Sequence, residues 1–106
     1  MSQLLTDNNA FLKLLISSQD KKQQEALLKT VTESQNKSLT EIFHNFIQLP
    51  LNEYESKIIK RNIKLVKILA NPNKSYRVKR RLLFKNKKVI FHILASFQNQ
   101  LETLLE

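Results

Sequence analysis

Apolar residues recur along this chain at spacings of three and four, and no window alternates in the manner of a half-buried strand. The pattern predicts helices only. A first spans about 8–17 around Phe11, Leu12, Leu14 and Leu15. A second spans about 19–31 around Ala26, Leu27, Leu28 and Val31, with Ser18 as its cap and Asp20 in its first turn. Thr32-Glu33-Ser34-Gln35 has the spacing of a capping box, so a third helix follows at about 34–48 with Leu39, Ile42, Phe43, Phe46 and Ile47. Pro50 disfavours helix at the residue before it, which makes Leu49-Pro50-Leu51 a connector. Asn52-Glu53-Tyr54-Glu55 is a second capping signature and opens a fourth helix at about 53–70. Asn71-Pro72-Asn73 stops that helix, Ser75 caps a fifth at about 76–86, and Asn86-Lys87-Lys88 marks a short break before a last helix at about 88–105.

The fourth helix is the most sharply two-sided. On a helical wheel Lys57, Lys60, Arg61, Lys64 and Lys67 fall within about 120° of one another. Ile58, Ile59, Ile63, Leu65, Val66 and Leu69 lie away from them, and Ile68 is the one apolar residue inside the basic stripe. The bases of the fifth helix, Arg77, Lys79, Arg80, Arg81 and Lys85, spread more widely around its wheel. The last helix gathers Val89, Ile90, Ile93, Leu94, Phe97, Leu101, Leu104 and Leu105 on one half. That stripe either closes the core or pairs with a second copy of the chain. The expectation is a single all-α domain over 1–106, a compact bundle of five or six short helices. Its parts are an acidic-to-neutral 1–56, a strongly basic 57–88 and an apolar terminal helix over 89–106.

Composition removes most other classes. The 106 residues include no glycine and two prolines, which argues against sandwiches, barrels and every glycine-dependent phosphate loop. The absence of cysteine excludes disulfides, thiol catalysis and thiolate metal sites. Apolar runs stop at three residues, so no membrane span is expected, and no secretory signal opens the chain. His44 and His92 stand on different predicted helices; Glu41, three residues before His44, is within reach of it on a helix. Ser17, Ser18, Ser34, Ser38 and Ser75 sit near helix starts, where capping accounts for them. With no triad, carboxylate pair or metal set, no catalytic residue, metal or cofactor is expected, and the chain reads as non-enzymatic.

Charge then changes the picture. Residues 1–56 carry five lysines against seven carboxylates, a net −2; residues 57–106 carry thirteen Lys/Arg against two glutamates, a net +11, within an overall +9. All thirteen bases lie between Lys57 and Lys88 with no acid among them. Such a run repels itself unless a polyanion completes it. The predicted phosphate contacts are Lys57, Lys60, Arg61, Lys64 and Lys67 on one helix, and Arg77, Lys79, Arg80, Arg81, Lys85, Lys87 and Lys88 on the next segment. Tyr76 and Phe84 flank the second cluster, placed either to stack on bases or to pack in the core. Asn73 and Ser75 bring backbone N–H groups at a helix start beside the same bases. No base-reading Asn or Gln stands among the cations, so contacts to the backbone with little sequence preference are expected. The reading is therefore a nucleic-acid-binding module, DNA ahead of RNA. The alternatives are a helical interaction or oligomerisation module with an acidic partner, including a homodimer through the terminal helix, and a protein lying on an anionic membrane surface.

The second half also resembles a small basic protein encoded by Maverick/Polinton-type mobile elements and related adintovirus-like DNA viruses. The residues that carry the resemblance are Asn45, the connector Pro50-Leu51, the lysine-rich segment from Lys57 to Ala70, and Ser75-Tyr76-Arg77-Val78-Lys79-Arg80-Arg81-Leu82-Leu83. The similarity spans about residues 20–97. It differs at Asn86-Lys87-Lys88, where those proteins place a glycine pair. The resemblance implies a viral or mobile-element protein acting near packaged or nuclear DNA, located in the nucleus or virion. Otherwise the chain reads as intracellular and not secreted.

Overall fold

The capping signatures set the main helix starts. In the computed structural model, which describes residues 2–105, Thr32 Oγ1 accepts the Gln35 amide at 3.1 Å while Gln35 Oε1 accepts the Thr32 amide at 2.9 Å. This reciprocal box opens α4, Glu33–Gln48. Asn52 and Glu55 build the same device at the start of α5, Glu53–Arg61, and Ser75 Oγ caps α7, Tyr76–Lys85, through the Val78 amide. The second predicted helix starts later than its sequence suggests. It is α3, Lys21–Lys29, and its cap is Asp20, whose carboxylate accepts the Lys22 amide; Ser18 closes the preceding helix and donates to Gln23.

The remaining differences are an added first helix and breaks at Asn62 and Phe97, while the short break expected at Asn86-Lys87-Lys88 is present at Asn86. The described residues form nine α-helices and no strand. The first predicted helix is preceded by α1, Gln3–Asp7, joined at Asn8 to α2, Asn9–Ser17. The fourth divides at Asn62 into α5 and α6, Ile63–Ala70. Asn86 separates α7 from α8, Lys87–Ser96, and Phe97 separates α8 from α9, Gln98–Leu104. The three asparagine junctions share one geometry, with φ between −108° and −117° and ψ between 16° and 28°. In each, the side-chain amide donates to the carbonyl four residues back: Leu4 at 3.0 Å, Ile58 at 2.9 Å and Leu82 at 2.9 Å. The side chain thus supplies a hydrogen bond to a turn whose backbone has left helical values. Because the next turn still bonds to each asparagine carbonyl, these are one-residue kinks rather than loops.

The kinked segments wrap around α4. Its Leu39, Ile42, Phe43 and Phe46 are buried, and its most extensive packing is against α6, with α7 and α1 also against it. Phe43 and Phe46 meet edge to face at 5.7 Å between centroids, and Phe46 meets Phe97 at 4.3 Å. Phe97, Leu101 and Leu105 are buried together with Ile90, Ile93 and Leu94. The apolar stripe of the last segment therefore closes the core of this chain. Of the two alternatives for that stripe, core or contact with a second copy, six of its eight residues take the first, while Val89 and Leu104 stay half-buried. The radius of gyration, 12.6 Å, is that of a closely packed domain of this length, for which about 13 Å is expected. No helix of the described residues is long and apolar enough to cross a membrane.

Candidate nucleic-acid interface

The interruption at Asn62 leaves the basic stripe outside. Lys57, Lys60 and Arg61 on α5 and Lys64 and Lys67 on α6 are all exposed, while Ile58, Ile59, Val66 and Leu69 between them are buried. Among the described residues the one ion pair is Lys57 with Glu53 at 3.6 Å, one turn apart and open to water. A pair of that kind contributes little. Apart from that pair, no carboxylate of the first half lies within ion-pair distance of a cation of the second among the described residues. Glu55 is instead occupied by the capping box and by the Gln100 side-chain amide at 2.9 Å, and Glu41 accepts from Ser2 at 2.6 Å.

On α7 the arrangement is more selective than the sequence suggests. Arg77, Arg80, Arg81 and Phe84 follow i, i+3, i+4, i+7 spacing, the stripe of a single helix face. With Leu28 and Lys29 of α3 they line a shallow groove of about 330 Å³. The Arg80 guanidinium donates to the Lys29 carbonyl at 3.0 Å, satisfying an otherwise open acceptor at the end of α3. Arg77, Arg81, Lys85 and Lys88 are exposed, and Lys87 is half-buried with its ammonium 4.6 Å from the centre of the Phe84 ring. The two flanking aromatics separate. The Tyr76 hydroxyl donates to the Val31 carbonyl and its ring packs against the core, whereas Phe84 stays 37% exposed in the groove. At the start of α7 the Ser75 hydroxyl already takes the Val78 amide, and Asn71 takes that of Asn73, so this helix start offers fewer free donors than expected.

Lys79 is the correction to the predicted set. It is 4% exposed, and its ammonium donates to Thr40 Oγ1 at 2.6 Å beneath α4. It does not reach a phosphate from there. The wheel carried the signal: relative to Arg77, Lys79 lies about 200° around α7, while Arg80, Arg81 and Lys85 stay within about 80° of it on either side. Lys79 is the residue that makes the bases look spread. Burial pushes its pKa below the ordinary lysine value of 10.5. Between the lowered folded value and 10.5 the unfolded chain binds more protons than the folded one, so stability rises with pH in that window. Lys79→Met removes this linkage. In paired urea titrations the stability of the native protein relative to Lys79→Met is expected to rise as pH is taken from neutral toward 10.5. A difference that stays flat over that range contradicts a buried ammonium.

The groove also contains residues that sequence reasoning missed. Lys29 and Leu28 belong to the half with net negative charge, and Arg80 lies 51 residues from Lys29 in sequence, so nothing local joins them. His44 and His92 are exposed and on different helices, and no group of three or more metal-ligating side chains occurs among the described residues. Comparison with protein-family models, curated proteins and solved structures finds no match to this chain.

Proposed function

We propose that this protein is a non-enzymatic nucleic-acid-binding module that contacts backbone phosphates with little sequence preference. The observation that supports this most is the set of exposed cations on α5 to α8 that have no carboxylate partner among the described residues: Lys60, Arg61, Lys64, Lys67, Arg77, Arg81, Lys85 and Lys88. Lys57 adds to them despite its weak pair, Arg80 adds its remaining donors, and Lys87 adds charge from beside Phe84. Phosphate supplies the missing counter-charge, and displaced counterions supply the driving force. The half-exposed Phe84 among three arginines offers a base a ring to stack on. A viral or mobile-element protein bound to DNA in the nucleus or virion fits this reading and the resemblance in the second half.

A salt-titrated fluorescence-anisotropy assay with random duplex DNA, single strands and polyglutamate tests it. If about six cations meet phosphates, the slope of log affinity against log salt on duplex DNA is expected to be about −5. A slope near zero, or tighter binding to polyglutamate than to either nucleic acid, rejects phosphate recognition in favour of an acidic protein partner.

A further inference from the structure

A second concavity, of about 390 Å³, lies away from the arginine groove and is bounded by α1, α4, the end of α6 and α7. Its size falls at the lower end of small-molecule sites, roughly 300–1,000 Å³. Leu4, Ala70 and Pro72 give it apolar walls, and Thr40 and Lys79 are the buried polar residues of its lining. Thr40 spends its hydroxyl proton on the Asn36 carbonyl at 3.2 Å, so toward Lys79 it is an acceptor. The ammonium has three protons, and among the described residues Thr40 is its one hydrogen-bond partner. No carboxylate of the described residues lies within ion-pair distance of it. A methionine in this position would fill the same space without burying a charge. A buried cation with spare donors beside an apolar hollow calls for an acceptor that enters from outside. The lowered proton affinity of Lys79 agrees with an ammonium awaiting its counter-charge.

We propose that this pocket binds a small organic monocarboxylate, with its carboxylate on the Lys79 ammonium and its apolar body against Leu4, Ala70 and Pro72. Lys37, exposed at the mouth, attracts the anion. Glu41, also in the lining, opposes a dianion such as phosphate and leaves a singly charged head as the better fit. The apolar walls favour a ligand that carries hydrocarbon over a bare inorganic ion. The site is independent of nucleic-acid binding, because Lys79 is the one predicted phosphate contact that faces inward.

The test is a titration of isotope-labelled protein with benzoate and with hexanoate, followed by amide chemical shifts. Benzamide serves as the uncharged control and sodium chloride at matched ionic strength as the charge control. Saturable shifts confined to Thr40, Ala70 and Lys79 and their neighbours are expected for at least one of the two carboxylates. Binding of benzamide is expected to be weaker than that of benzoate by about tenfold or more, the loss that follows removal of a charged hydrogen bond. Lys79→Met is expected to abolish the shifts; should that variant fail to fold, the comparison of benzoate with benzamide in the native protein decides alone. Three outcomes overturn the proposal: no shift with either carboxylate, shifts spread over the lysines and arginines of α5 to α8 as with chloride, or equal binding of benzoate and benzamide.

Discussion

Neutralising Arg77, Arg81 and Lys85 together with glutamine is expected to weaken binding to duplex DNA on the order of 10²–10³-fold at about 0.1 M salt. The three residues lie one turn apart along the exposed edge of α7 and hold no hydrogen-bond or ion-pair partner among the described residues, so their removal leaves the bundle intact. Arg80 is left in place because its guanidinium ties α7 to the end of α3. Each lost phosphate contact removes about 0.9 from the salt slope, so the triple variant is expected to show a slope shallower by about 2.7. Lys13, Lys21 and Lys22 supply the control. They are exposed in the first half, and their replacement by glutamine changes the net charge by the same amount. A loss of about threefold or less is expected there, since the change acts only through the general field of the protein. Equal losses from the two triples, measured by anisotropy over a salt series, would mean that total charge and not the α7 edge governs binding.

Phe46→Ala is expected to cost about 3–5 kcal/mol of stability, read from urea denaturation followed by far-UV circular dichroism. The ring is fully buried, meets Phe43 edge to face and Phe97 at 4.3 Å, and so joins α4 to the junction between α8 and α9. Truncation removes transfer free energy, opens a cavity and forfeits two aromatic contacts, each worth about 0.5–1.5 kcal/mol. A domain of this size has about 5–15 kcal/mol in total, so the variant stands close to unfolding at ambient temperature. A loss below about 1 kcal/mol, the scale of surface substitutions, would place Phe46 outside the core described above.

How far the sequence reaches is clearest at the helix ends. Thr32 with Gln35, Asn52 with Glu55, and Ser75 are each legible as caps, because a cap is a contact between residues two or three apart and needs no tertiary partner. The kink at Asn62 is not legible in the same way, and at Asn8 the sequence shows a helix start but not the helix that precedes it. An asparagine at position 62 also fits a continuous helix, and the choice of the kinked backbone is made by the neighbours around which the two halves must wrap. The break at Asn86 is legible, since Asn86-Lys87-Lys88 interrupts the apolar stripe between the two helices.

The cations divide along the same line. Helical periodicity alone determined the all-α class, the inward and outward sides of α5 and α6, and the concentration of unneutralised charge between Lys57 and Lys88, because amphipathic spacing and composition are properties of consecutive residues. Only the packed structure decided that Lys79 is buried against Thr40, that Arg80 closes the end of α3, and that the terminal apolar stripe belongs to the core. Those three outcomes depend on partners 39 and 51 residues away, or on how much apolar surface the other helices leave uncovered. The wheel sets Lys79 apart from the other cations of α7, but which group meets its ammonium in the interior is not written in the neighbouring residues. Its surroundings, set by the whole fold, determine the role it takes.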